Sequence, residues 1–196
     1  MPGPSPAPQT LEELRAALAN GQRHCPGLQL GNLDGVDLDL ADCDLHGGGF
    51  KEARFGHARL SHADVSGGCF QQSLIWGADL SGLKASHSFW HEAALSGSRL
   101  QGADFTGALL HRTCLRGVVA AGSRWCEARL VEADFRSGLD QLTDLGGADL
   151  SFALLNGANL HGANLRGCDL RDTQLNGARL GGAKLAEALL PLEITP

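Results

Sequence analysis

Residues 148–170 read ADLSFALLNGANLHGANLRGCDL. Cut every five residues, the stretch repeats a small residue, a polar one and a leucine, then two variable positions. The same phase extends in both directions. Of the 33 positions taken every fifth residue from Leu30 to Leu190, 29 hold Leu, Phe, Ile, Val or Trp. The exceptions are Gly35, Ala85, Ala120 and Asp140. Two residues earlier, from Leu28 to Ala188, 28 of 33 positions hold Ala, Gly, Ser, Thr or Cys. The exceptions there are Leu28, Leu33, Leu38, Leu83 and Val118.

A helical face needs a period of 3.6 residues, a half-buried strand 2 and a heptad seam 3.5. A period of five fits none of them. The chain must turn a corner every five residues and bury two of them each time. This pattern resembles the pentapeptide-repeat family, A(D/N)LXX, over roughly residues 28–190. The resemblance implies an all-β solenoid, a right-handed quadrilateral β-helix with four pentapeptides per coil and about eight coils. A coil of this kind contacts only its neighbours and leaves both ends of the rod open, so each end needs a cap.

At the N-terminal end, Thr10 and Glu13 form a capping-box pattern. Leu11, Leu14 and Leu18 line one face of a predicted helix over 11–19, within a capping segment 10–21 that Gly21 could close. The proline-rich residues 1–9 are expected to be disordered. At the other end, residues 183–196 are expected to form a helical cap. Leu189, Leu190 and Leu192 exceed what one cap needs, so either a second copy or the rod's own end covers them. The resemblance favours a homodimer contact here.

Positions twenty apart should stack. One such column reads Leu40, Leu60, Leu80, Leu100, Ala120, Asp140, Leu160, Leu180. A buried unpaired carboxylate is costly, so Asp140 predicts an irregular turn or protrusion near 137–143, where Leu139 and Leu142 are spare. The protrusion is either a tolerated distortion or a partner-binding loop. Trp90 and Trp125 also fall at core positions, each following an alanine one face earlier that could make room. Trp76 falls on an outward position, where it is a partner candidate unless it lies flat on the wall.

On the walls, Asp39, Arg59, Asp79, Arg99 form one column and Glu92, Arg112, Glu132 another. A third runs Asp44, Asp64, Lys84, Asp104, Arg124, Asp144. Alternating signs at this spacing support the stack weakly. Against that background, Asp34, Asp37, Asp39, Asp42 and Asp44 form an acidic zone, and the segment 99–129, with Arg112 and Arg116, a basic one. Zoned charge steers a protein partner.

The 196 residues suit one domain. The formal charge of -6 disfavours direct nucleic-acid binding. There is no apolar run long enough to span a membrane and no secretory signal, so a cytoplasmic protein with reduced thiols is expected. The 27 glycines, the absence of tyrosine and 5% aromatics point to a core packed from leucine, alanine and glycine. No catalytic or cofactor motif emerges, and His87 with His91 lacks a third metal ligand. The expectation is a non-enzymatic protein-binding rod without cofactor or metal. The resemblance implies one partner class, DNA gyrase, bound by a DNA mimic that can protect it from quinolones or topoisomerase poisons. The zoned charge keeps a second open, an immunity or adaptor protein that binds a bacterial toxin or secretion-system effector.

Overall fold

The computed structural model describes residues 8–138 and 140–192. It opens with α1, Leu11–Ala19. The Thr10 hydroxyl accepts the Glu13 N–H at 3.1 Å. The Glu13 carboxylate accepts the Gln9 N–H at 2.7 Å, which satisfies donors the first turn leaves free. At the far end, Gly21 takes φ +80, and the Gly21 and Gln22 N–H groups donate back to the Leu18 and Ala17 carbonyls. Leu14 is fully buried and Leu11 and Leu18 pack beside it, so α1 covers one end of the core. Of the segment expected to be disordered, residues 1–7 lie outside the described residues. Pro8 is buried.

From His24 onward the chain coils. Each wall position pairs in parallel with the residue twenty further on, through an isolated bridge rather than an extended strand. One column links His24, Asp44, Asp64, Lys84, Asp104, Arg124, Asp149, Asp169 and Leu189, and so passes through eight coils. We take this column as the first wall; the second starts at Gln29, the third at Asp34 and the fourth at Asp39. The ladder runs along the rod axis: Leu40 N–H donates to the Arg59 carbonyl at 2.7 Å and Arg59 N–H to the Leu38 carbonyl at 2.9 Å.

Outside residues 136–142 the corner between walls is the same each time. Its second residue sits in the left-handed region, with φ from 55 to 71. Sixteen glycines and fifteen other residues occupy these sites. The glycine excess therefore belongs mostly to the outer corners, where a missing Cβ relieves strain, and only secondarily to the core. The polar residue of the repeat has a structural task as well. Nine aspartates and two asparagines on the walls accept the N–H two residues on, as Asp64 does from Ser66 at 3.0 Å and Asn159 from His161 at 3.2 Å. This local bond ties the chain as it enters the corner.

Corner glycines also make room for rings. A Cβ on Gly82 would lie 2.4 Å from His62 Nδ1, whereas one on Gly102 would meet nothing within 4 Å. Both have nearly the same φ, 64 and 65. Gly102→Ala should cost about 1 kcal/mol, the backbone penalty alone. Gly82→Ala should cost measurably more in urea unfolding, and His62→Ala in that background should remove the excess. Equal costs for the two glycines would mean that the His62 ring has no seat there.

The interior is solid. Phe50, Phe70 and Trp90 stack in one inward column, with Phe70 and Trp90 4.3 Å apart and nearly parallel. In the inward column adjacent to it, which precedes it around the coil, Phe105 and Trp125 stack at 4.4 Å. Both tryptophans are fully buried. Each indole N–H donates at 2.6 Å to the serine two residues earlier, Ser88 or Ser123. That serine in turn donates to the carbonyl of Ala85 or Ala120. The sequence Ala-x-x-Ser-x-Trp thus recurs as one packing unit. Gly35 is compensated across coils, because a Cβ there would lie 2.9 Å from the Phe55 ring.

The twenty-residue register breaks once. Val119 pairs with Asp144, Arg124 with Asp149, Arg129 with Leu154 and Asp134 with Asn159, each twenty-five apart, before Asp144–Asn164 restores twenty. One whole pentapeptide is inserted between Asp134 and Asp144. This corrects the columns expected beyond Ala120. Ala120 stacks under Leu145, not Asp140, and Arg124 precedes Asp149, not Asp144. Asp140 is exposed and needs no buried partner. The protrusion is held by Gly138 N–H donating to the Gln141 carbonyl at 2.7 Å and by Thr143, whose hydroxyl donates to the Arg136 carbonyl and accepts the Gly117 N–H. Leu139 lies outside the described residues.

The helical C-terminal cap is also corrected. Residues 183–190 continue the coil, with Lys184 bridged to Asn164 and Leu189 to Asp169. Residues 193–196 lie outside the described residues. Leu175, Leu180, Leu185 and Leu190, fully inward by phase, are only partly buried in this last coil. The periodic leucines of 183–190 fit helix and coil alike, and the five-residue phase decided between them.

Candidate interaction surfaces

The five aspartates of the acidic zone do not form one patch. They ring the first coil from the third wall to the first. Asp34 pairs with Arg54 at 3.3 Å and Asp39 with Arg59 at 3.1 Å. Asp44 meets His24 at 2.7 Å and His46 at 2.6 Å. Only Asp37 and Asp42, on the corners flanking the fourth wall, have no salt bridge among the described residues. The zone is therefore largely neutralised by the next coil.

The remaining candidates are dispersed. Arg112 stands on the corner between second and third walls, 3.8 Å from Glu92 and 3.3 Å from Glu132. Arg116 stands on the opposite edge of the third wall, 3.8 Å from Asp134. Trp76 shares that edge and is half-buried, its indole lying over Gly56, where a Cβ would come within 2.3 Å. Asp140 lies in the protrusion. Leu189 is 50% exposed on the first wall and Leu192 89% exposed, while Leu190 lines the partly covered end.

Salt bridges and corner bonds act together on the carboxyl of Asp134. Burial works against ionisation of Asp134. The Arg136 guanidinium at 2.7 Å and the Arg136 N–H outweigh it and hold the carboxyl below the usual range. Most such pairs are exposed and worth little individually.

What the sequence reading missed is that the four walls differ in kind. The first and fourth carry most of the wall charge, alternating in sign over Asp39, Arg59, Asp79 and Arg99 on the fourth and over Asp64, Lys84, Asp104 and Arg124 on the first. The second reads Gln29, Gly49, Cys69, Phe89, Leu109, Arg129, Leu154, Gln174, with one charge. The third has an apolar centre, Leu74, Ala94 and Cys114, between Arg54 and Asp134. Phe89 is 40% exposed and Leu74 43%. The signal was present at the second position of each repeat, sorted by wall.

Among the described residues no three His, Cys, Asp or Glu side chains converge as a metal site. Burial pushes the Cys168 thiol up to about 11, far from a reactive thiolate. Two open grooves lie on the surface of the described residues. One of about 760 Å³ lies at the last coil beside Asp172–Asn176. One of about 420 Å³ lies on the fourth wall beneath the protrusion, lined by Val119, Leu142, Asn164, Arg166 and Lys184. No helix among the described residues is long and apolar enough to cross a membrane.

The sequence matches the family described as pentapeptide repeats in eight copies, over residues 39–77, 77–112 and 143–182. The unmatched stretch between holds Trp125 and the inserted pentapeptide. No curated protein sequence matches the chain. Among solved structures the chain is similar to HetL, a pentapeptide repeat protein involved in heterocyst differentiation regulation from the cyanobacterium Nostoc sp. strain PCC 7120. Identity is 24%, coverage 92% of this chain and 97% of that chain, and the TM-score 0.57. It is also similar to QnrB1, a plasmid-mediated fluoroquinolone resistance protein, at 17% identity, 83% and 93% coverage and a TM-score of 0.43. The likeness to HetL shows a shared fold.

Proposed function

From the premise that this chain belongs to the pentapeptide-repeat family, we propose that it is a non-enzymatic rod that binds another protein through its outer walls. The observation that carries this reading is the division of labour within the repeat. Two positions in five fill the core, one sets the corner, and the wall positions vary in sign and polarity from face to face. A filled core offers no enclosed substrate site.

Between the two partner classes, the walls favour a dedicated protein partner, such as a toxin or secretion-system effector, over gyrase. A DNA mimic needs like charge along its length. Here Asp and Arg alternate on the fourth wall, and most wall aspartates are tied into corner bonds or ion pairs. A charge-zoned surface fixes one partner and its register. The acidic corners Asp37 and Asp42 supply one end of that surface on the fourth wall, and Arg99 its centre.

DNA supercoiling by gyrase, titrated with this protein, should not change, and drug-induced cleavage should stay the same. Affinity capture should recover one stoichiometric partner, and Asp37→Lys with Asp42→Lys should weaken it without altering the melting temperature. Inhibition of supercoiling or protection from a quinolone would return the gyrase reading to first place.

A further inference from the structure

The third wall carries a pattern that the protein-binding reading does not use. In order along the rod it reads Asp34, Arg54, Leu74, Ala94, Cys114, Asp134, Asn159, Arg179. Coils are spaced about 4.8 Å apart, so Arg54 and Asp134 sit roughly 19 Å apart with three apolar residues between them. We propose that this wall is a self-association surface, on which a second copy of the chain packs antiparallel about a two-fold axis crossing the wall at Ala94.

Opposite charges in mirror positions carry the argument. Rotation about Ala94 sets Ala94 against itself and Leu74 against Cys114 of the second copy. It sets Arg54 against Asp134 of the second copy, twice, and Asp34 against Asn159. An isologous contact needs this kind of self-complementary order. A parallel pairing would instead set Arg54 against Arg54 and Asp134 against Asp134. On the flanking corner the antiparallel register brings Arg116 of the second copy over Trp76, a favourable cation–ring contact. On the other corner Glu52, Glu92 and Glu132 meet like charges. Each is held by a cation of its own chain, Lys51 at 3.4 Å or Arg112 at 3.8 and 3.3 Å.

The wall is also accessible. The small side chains of Ala94 and Cys114 leave Leu74 standing 43% exposed as the one large knob, opposite the low ground at Cys114. The described residues of the protrusion lie over the fourth wall, against Val119, Asn164 and Lys184, and meet the third wall at its edge, where Gln141 and Thr143 pack on Gly117 beside Arg116. The contact is distinct from the rod end at Leu190. It holds whether or not a separate protein partner exists.

Sedimentation velocity of the full chain over a dilution series tests it. The wild type should shift from monomer to dimer with concentration. Ala94→Glu, which sets two carboxylates on the axis, should give monomer throughout. Arg54→Asp should weaken the dimer by roughly tenfold or more, and adding Asp134→Arg should restore it, because the charges are exchanged and not removed. Asp134 also ties its corner, so Leu74→Lys serves as a second disrupting variant if the exchange lowers the melting temperature. A wild type that stays monomeric, or a dimer that survives Ala94→Glu, would overturn the proposal. So would a dimer broken by Leu190→Ser and untouched at Ala94, which would place the contact at the end of the rod.

Discussion

Trp125→Leu should lower the unfolding free energy by about 2–4 kcal/mol and Ala120→Leu by about 1–3 kcal/mol, yet the double variant should lose far less than their sum. The reason lies in one cross-section of the rod. Ala120, Trp125, Leu130 and Phe135 are the four inward residues of a single coil, and all are fully buried. The indole stacks on Phe105 at 4.4 Å and meets Phe135 edge-on at 5.9 Å. Leucine in its place leaves a void lined by both rings. Leucine at 120 intrudes on space the indole already fills. Made together, the two changes return the coil to the leucine pattern of its neighbours, in which volume moves between faces and the total is nearly kept. Hydrogen bonding does not confuse the comparison. Without the indole, Ser123 still donates to the Ala120 carbonyl at 2.6 Å, so no buried donor is orphaned. A double-mutant cycle by urea unfolding measures the coupling. A coupling near zero would show that Ala120 does not make room for Trp125, and the same cycle at Ala85 and Trp90 should agree.

The five-residue phase made most of the rod legible, because burial and corner both repeat with it. Leu80 is inward for the same reason as Leu160. The caps were legible in unequal measure. Thr10 and Glu13 announce a helix start by chemistry specific to that position. Residues 183–190 are apolar at spacings that suit two structures. Wall columns beyond Ala120 were misplaced because the insertion is one repeat long. It leaves the five-residue phase intact and shifts only the twenty-residue one, and no local property of residues 144–190 records that shift. Asp140 was the single trace of it, a carboxylate at a position where phase demanded an apolar residue. The interaction surfaces were least legible. The acidic zone is legible as a local excess of aspartate, and the column Asp39, Arg59 already answers one of its members; Asp34 is answered likewise by Arg54. Asp64 and Asp104 are acceptors for their own corners. Sequence proximity grouped aspartates that the fold distributes around three walls, and separated Leu74, Ala94 and Cys114, which it aligns.

Removal of residues 138–142 should leave the melting temperature within a few degrees of the wild type, or raise it. The deletion joins Ser137 to Thr143 and produces Phe135-Arg136-Ser137-Thr143-Asp144-Leu145. That is a regular repeat, with an inward aromatic, two corner residues, a small residue, a wall aspartate and an inward leucine. Val119 and Asp144 then stand twenty apart, as every other wall pair does. Among the described residues, the interaction lost with the segment itself is the Gly138 N–H bond to the Gln141 carbonyl. Thr143 would fall into the place that Ser73 and Ser123 hold elsewhere, each donating to the carbonyl three residues back. A shorter loop also loses less entropy on folding. Deleting Gly102 alone is the contrasting case. It shifts Asp104 toward the core and Phe105 toward water relative to the coil before, and every later repeat inherits the error. Coils are stabilised only by their neighbours, so the mismatch should abolish the cooperative transition. Thermal unfolding followed by circular dichroism separates the two outcomes. The five-residue deletion then decides what the protrusion is for. If a captured partner is lost while the melting temperature holds, residues 138–142 are a docking element. If the partner remains, they are an extra repeat that the rod carries outside its wall at no cost to binding.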